Sequence, residues 1–307
     1  MIPGDDAERR RRGLANAVGA YAFWGVVTPL YFKVVAAVPP VEVLGHRTFW
    51  SMVFLAALLA WGRSFDAVRA VFRSRRALAM IAASACLIGL NWGVFIYSVS
   101  SKQLSQSSLG YYINPLVSVL LGRLVLGERL TRAQWWAVAL AACAVGVLVV
   151  AGGVFPWIAL VLAFSFGAYG LLRKLAPVDP VAGLFLECAA LAPLALGYAW
   201  WADSRGVLAF GHVELWRSGW LALAGVVTSV PLIWYVRGAR LLPLSTMGVL
   251  QYISPSGQLL IAVLLFGEAF TGVRAVAFGL IWCAVALYVG EGRRARGAAQ
   301  KAGSASS

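Results

Sequence analysis

Apolar residues fall in ten runs of about 20, too continuous to be the alternating face of a strand. The runs lie near 14–38, 42–62, 77–99, 105–126, 131–151, 154–173, 179–202, 216–237, 244–266 and 270–290. About 20 apolar residues at roughly 1.5 Å each cross the ~30 Å core of a bilayer, where only helices and closed barrels satisfy their own backbone. Barrel strands alternate apolar and polar positions, which these runs do not. The pattern predicts an all-α membrane protein of ten transmembrane helices, with short loops except at 63–76 and 203–215.

The runs repeat. Tyr112-Ile113-Asn114-Pro115, Gly127-Glu128 and Thr131 return 140 residues later as Tyr252-Ile253-Ser254-Pro255, Gly267-Glu268 and Thr271. Pro40/Pro180, Val41/Val181, Cys143/Cys283 and Ala144/Ala284 keep the same offset, whereas Trp24-Gly25 aligns with Tyr169-Gly170 only at 145. A basic N-terminus (1–13) thus precedes a first five-helix repeat (14–151), a second (154–290) and a polar tail (291–307) expected to be disordered. Five spans per copy is an odd number, so the second copy enters the membrane from the opposite face. Two inverted five-helix repeats of this kind are the pattern of carriers that bind substrate between repeats.

Composition sharpens the class. The chain is 61% hydrophobic and 12% charged, with a mean hydropathy of +0.80, far from a soluble domain. Its net charge of +14 does not point to nucleic acid, because most Lys and Arg residues fall in segments on one face, among them Arg9 to Arg12, Arg73 to Arg76, Arg129, Arg173, Lys174 and Arg240. That bias places both termini in the cytoplasm of a bacterial-type inner membrane, with attraction to the lipid bilayer's headgroups. Cys86, Cys143, Cys188 and Cys283 show no ligand spacing and read as small buried hydrophobes. The first run is too long for a signal peptide and is followed by no cleavage pattern. No GxxxxGK[ST] loop is present, so neither cofactor nor nucleotide is expected and gradients must supply any energy.

Polar residues inside the spans carry the chemistry. Ser107, Tyr111, Asn114 and Ser118 are spaced four, three and four apart on one helical face, and Met247, Gln251, Ser254 and Gln258 repeat that spacing. Each stripe is interrupted by Pro115 or Pro255, which frees a carbonyl that only protein partners or water can satisfy at membrane depth. The stripes read either as facing walls of a cavity or as interhelical packing glue. Asn91-Trp92 in the third span, with Thr228, Ser229 and Pro231 in the eighth, would extend such walls.

Arg47 and Glu187 lie deep in the second and seventh spans, where a central charge costs about 2.5–3.5 kcal/mol. Inversion puts Arg47 in the outer half and Glu187 in the inner half, on the order of 10–15 Å apart in depth, which argues against a direct pair. Arg47 suits a wet cavity or an anionic substrate group, with His46 and Lys33 near its depth. Lys33 equally fits a side chain snorkelling outward. Glu187, the one deep carboxylate, is the candidate to carry a coupling proton or bind an amine. Glu128 and Glu268, each after a glycine at a span end, read as turn-closing residues that favour the next helix's N-terminus, beside the capping box of Thr131 and Gln134. Trp61, Trp135, Trp136, Trp157, Trp200, Trp201, Trp216 and Trp220 sit near span ends as an interfacial belt. Trp24, Trp50, Trp92, Trp234 and Trp282 fall inside spans, as packing or as pocket.

Together these residues resemble the EamA-type carriers of the drug/metabolite transporter superfamily, and its RarD group in particular. The likeness runs from Gly13 to about Arg294 and rests on Trp24-Gly25, Tyr31-Phe32-Lys33, His46-Arg47, Asn91-Trp92, Ser108-Leu109-Gly110-Tyr111, Ile113-Asn114-Pro115-Leu116, Leu126-Gly127-Glu128-Arg129, Ala163-Phe164-Ser165-Phe166, Arg173-Lys174, Gln251-Tyr252-Ile253 and Gly267-Glu268. It implies a ten-helix inner-membrane carrier with cytoplasmic termini. Met247-Gly248-Val249-Leu250 departs from Leu109-Gly110-Tyr111, so the halves contribute unequally. The expected function is secondary transport of a small-molecule substrate by alternating access, with a site lined by spans 3, 4, 8 and 9. Arg47, Trp24, Asn91, Trp92, Tyr111, Asn114, Gln251 and Ser254 are the substrate-binding candidates, and Glu187 the coupling candidate, with protons as the candidate ion. An intramembrane enzyme is disfavoured by two histidines, one deep carboxylate and no metal-ligand spacing, and a channel by the lack of a charge ring or filter. A homodimer is left open.

Overall fold

The computed structural model describes residues 3–153, 155–212, 215–266 and 272–304. In chain order the helices are α1 (Pro3–Val34), α2 (Pro40–Trp61), α3 (Phe65–Phe72), α4 (Arg75–Ser100), α5 (Leu104–Leu124), α6 (Arg132–Gly152), α7 (Trp157–Leu175), α8 (Pro180–Ser204), α9 (Leu215–Leu241), α10 (Leu244–Gln251), α11 (Ile253–Phe266) and α12 (Gly272–Ser304). Every predicted span coincides with a helix, except that the ninth is the broken pair α10 and α11. Seven of these stretches are long and apolar enough to cross a membrane. The protein is an all-α, multi-pass membrane protein.

Local chemistry sets the ends. Ser74 accepts the Ala77 amide at 3.2 Å, and Asp179 accepts those of Val181 and Ala182 at 2.9 and 3.0 Å. Thr131 and Gln134 form the expected capping box on α6. Pro40 and Pro180, 140 residues apart, occupy the first turns of α2 and α8, where a missing N–H costs nothing. The 63–76 loop contains α3, which buries Val68 and Val71. Two terminal segments also differ from expectation. α1 starts at Pro3, and α12 runs through Ala- and Arg-rich sequence to Ser304 rather than becoming disordered after Glu291, because those residues favour helix.

Packing repeats with the sequence. α1 packs on α9 and α11, and its counterpart α7 packs on α4 and α5. α2 meets α8, α5 meets α10, and α6 meets α12, each helix facing its own image in the other half. The contact pattern thus survives exchange of the halves, as a two-fold relation requires, and five spans per half run corresponding helices in opposite directions. The close crossings revise one alignment. A Cβ on Gly257 of α11 would lie 3.0 Å from the Gly25 backbone of α1, and one on Gly167 of α7 would lie 2.8 Å from Cγ1 of Val117 on α5. Val117 and Gly257 share the 140-residue offset, so Gly25 corresponds to Gly167, and Trp24 to Phe166, rather than to the Tyr169-Gly170 pair.

Only one of the two polar stripes is interrupted. α10 ends at Gln251, whose carbonyl loses its donor to Pro255, and Tyr252 forms the turn before α11. α5, packed along α7, runs straight through Pro115.

Candidate functional site

Between the halves lies a cavity of about 120 Å³, walled by α1, α2, α4, α5, α7, α9 and the α10–α11 pair. At roughly 30 Å³ of liquid per water it has room for about four. All eight expected binding residues, Arg47, Trp24, Asn91, Trp92, Tyr111, Asn114, Gln251 and Ser254, line it. The expected walls, spans 3, 4, 8 and 9, are joined by spans 1, 2 and 6. The cavity sits toward the end of the bundle where α1 finishes and α2 begins, since it reaches Tyr31, Phe32 and Arg47.

Arg47 dominates its electrostatics. Its Nε donates to Thr228 Oγ1 at 3.0 Å, and its guanidinium carbon lies 5.3 Å from the Trp92 ring and 5.5 Å from the Phe32 ring. Among the described residues no carboxylate pairs with it, and no Asp or Glu lines the cavity. It forms no ion pair with Glu187, which is paired with Arg173 instead.

The amides are partly committed to packing. Asn91 Nδ2 donates to the Leu162 carbonyl and Ser165 Oγ, both at 2.9 Å, and Asn114 Nδ2 donates to the Ala163 carbonyl at 2.9 Å. Both thereby pin α7 to the cavity wall. Gln258 Nε2 donates to the Trp24 carbonyl at 3.3 Å and to Ser254 Oγ at 3.4 Å. The stripes divide their labour: Tyr111, Asn114, Gln251, Ser254 and Gln258 reach the cavity, while Met247 is in the core and Ser107 and Ser118 are buried outside it.

Several cavity residues escaped the sequence reading. Thr28, Tyr31, Phe32, Phe95 and Phe166 all line the site, beside Thr228, which the sequence already placed in the wall. A signal existed in α1, where Trp24, Thr28 and Tyr31 are four and three residues apart on one face, next to the helix-interior Pro29. Tyr31 OH and Thr28 Oγ1 are buried with no hydrogen-bond partner among the described residues.

Glu187 does not line the cavity. It is 1% exposed, accepts hydrogen bonds from Ser84 Oγ at 2.5 Å and Tyr169 OH at 3.2 Å, and pairs with Arg173 Nε at 3.5 Å. Arg173, expected in a cytoplasmic segment, is 0% exposed and presses on α8 where a Cβ on Gly183 would overlap its guanidinium. Its Nη2 donates to the Pro180 carbonyl at 2.9 Å. Two neighbours exchange helix ends. Lys174 on α7 donates to the Ala239 and Leu242 carbonyls that finish α9, while Arg240 on α9 donates to the Arg173, Ala176 and Val178 carbonyls that finish α7. Glu128 joins this end by accepting the Leu244 amide at 2.6 Å, the Ser245 amide at 2.9 Å and Ser245 Oγ at 2.6 Å. It caps α10 in the other half rather than the following helix, as expected from sequence, because Thr131 already caps α6. Between these groups and the cavity, Tyr21, Phe166, Tyr169 and Tyr235 pack ring against ring. That end is therefore shut.

The remaining candidates separate cleanly. Lys33 is exposed and does not line the cavity, as a snorkelling side chain would be. His46 accepts from Trp50 Nε1 at 3.2 Å and stacks on Phe210, while buried Glu42 accepts the Ala209 and Phe210 amides and ties the 203–215 loop to α2. Of the cysteines only Cys188 is buried; Cys86, Cys143 and Cys283 lie on the outer surface, where a small apolar side chain meets lipid at no cost. Trp61, 90% exposed, and the other belt tryptophans face outward, and so does Trp282. Trp24 and Trp92 face the cavity, and Trp234 packs on Phe23. Glu268 lies outside the described residues.

Known proteins agree with this geometry. The model of the EamA-like transporter family matches twice, at residues 11–150 and 156–290. An uncharacterized transporter of Vibrio cholerae serotype O1 is 44% identical, covering 98% of this chain and 100% of its own. Protein RarD of Escherichia coli K12 is 40% identical, covering 92% and 96%. One crystal structure superposes with a TM-score of 0.69 at 20% identity, over 91% of this chain and 97% of that one, a likeness of fold alone. With both repeats matched and RarD proteins similar over nearly their whole length, this chain belongs to the EamA-like transporter family.

Proposed function

We propose that the protein is a secondary active transporter of a small metabolite or drug, working by alternating access in a bacterial-type inner membrane with both termini in the cytoplasm. The observation that carries this reading is an Arg47 cavity between two inverted halves, set toward one end of the bundle and shut at the other by aromatic rings and exchanged helix caps. Substrate would bind among Arg47, Trp24, Asn91, Trp92, Tyr111, Asn114, Gln251 and Ser254. The halves would then rock so that the shut end opens.

In this reading Glu187 couples indirectly. Taking up a proton would weaken its attraction for Arg173, with Tyr169 and Ser84 the other groups facing it, and so loosen α4, α7 and α8 at the shut end. Among the described residues no nucleophile with its base lines the cavity, and relatives named as transporters support transport over catalysis. Counterflow tests the reading. Proteoliposomes preloaded with unlabelled substrate should accumulate label transiently, and Arg47→Ala should reduce that uptake at least tenfold. Equal uptake with and without preloading would indicate a channel and remove the proposal.

A further inference from the structure

We infer that the cavity is built for a one-ring aromatic monoanion, a planar carboxylate without a positive charge, and that Tyr31 and Thr28 complete its anion seat; this rests on the carrier reading above. Arg47 is the cavity's only charge among the described residues, and it spends Nε alone on protein, through Thr228. Its two Nη groups donate to no described residue. Trp92 and Phe32 flank the guanidinium, which fixes its plane and leaves a fork of donors of the kind that carboxylates accept two at a time.

Two further donors belong to residues of the same cavity wall. Tyr31 is 3% exposed, lies within Coulombic reach of Arg47, and has a hydroxyl with no partner among the described residues, as does Thr28 one helical turn earlier. A buried hydroxyl without a partner costs roughly 1–3 kcal/mol, a cost that a bound oxygen would remove. The rest of the ligand meets rings. Trp24 and Phe166, 5.8 Å apart and edge to face, form the wall toward the shut end. A volume near 120 Å³, set against the roughly 150 Å³ of a cavity that binds benzene, admits one ring and not two. Among the described residues no carboxylate lines the cavity to receive an ammonium, so amino acids and cationic drugs would leave a charge unanswered.

The test uses purified full-length protein and four probes that share one phenyl ring: phenylacetate, phenylacetamide, phenethylamine and phenylalanine. Binding is read by quenching of tryptophan fluorescence and by thermal shift. Phenylacetate should bind at least about tenfold more tightly than the other three, the difference expected of charge-assisted bonds. Arg47→Met should abolish that preference and Arg47→Lys, which keeps the charge but not the fork, should weaken it about tenfold. Tyr31→Phe and Thr28→Val should each weaken phenylacetate about threefold to tenfold, with melting curves checking that the variants are folded. Amide or amine binding as tightly as the acid, no binding by any probe, or undiminished affinity in Arg47→Met would each overturn the inference. Counterflow of labelled phenylacetate separates the two readings: binding without counterflow leaves the seat and removes the carrier, whereas counterflow confined to phenethylamine leaves the carrier and removes the seat.

Discussion

Arg47 and Glu187 meet the cost of a buried charge in opposite ways. Arg47 stays solvated by a cavity and two ring faces, while Glu187 is paired with Arg173 and given two hydroxyl donors. Their substitutions should therefore differ in kind. Glu187→Gln leaves Arg173 buried and unpaired, which should destabilise the protein by about 3–5 kcal/mol in detergent melts, and adding Arg173→Met should restore most of that. Arg47→Met should change the melting temperature little while removing transport. The sequence already pointed to Arg47 and Glu187 as the deep charges, because few other ionisable residues sit within apolar runs. It could not identify Arg173, which follows Phe166–Leu172 at a span end and looks like one more orienting cation. Only the approach of Gly183 makes room for it.

At the level of helices, caps cross between the halves. Glu128 serves α10, Lys174 serves α9 and Arg240 serves α7. Glu128→Ala should lower stability by about 1–2 kcal/mol, because it strips a charged cap from two amides and a hydroxyl, whereas Thr131→Ala should cost about 1 kcal/mol. Comparative melts would show whether the cross-half cap outweighs the local one. Gly257→Val should be worse than either, since the added carbons would enter the α1 backbone at Gly25, and poor yield of folded protein is the expected result. Thr131-Gln134 was readable because a capping box is local in sequence. The partner of Glu128 was not, because it lies 116 residues away and proximity across a fold leaves no trace in spacing.

For the molecule as a whole, a cavity set toward one end and a shut opposite end make a directional prediction. In a variant with the four native cysteines replaced, Phe32→Cys should react with a membrane-impermeant thiol reagent added to the outer face, and Tyr169→Cys should not. Weakening the shut end with Lys174→Met and Arg240→Met should raise labelling at position 169. A fluorescent protein fused to the C-terminus should fold and fluoresce, and alkaline phosphatase there should be inactive, if that terminus is cytoplasmic. Labelling of position 169 from outside without those changes would contradict the shut end.

Hydropathy and the internal repeat were enough to determine a helical membrane protein in two inverted halves, because the length of an apolar run and the parity of spans are properties of the chain alone. The stripes on α5 and α10–α11 likewise announced a polar surface between helices. Which polar groups face open space was decided only by packing. The same amide type holds α7 through Asn114 and stays available at Gln251, and the hydroxyls of Thr28 and Tyr31 gained importance only when seven helices closed around them. A side chain's role here depends on which neighbour reaches it first, and neighbours are set by crossings such as Gly25 on Gly257 that no linear pattern specifies.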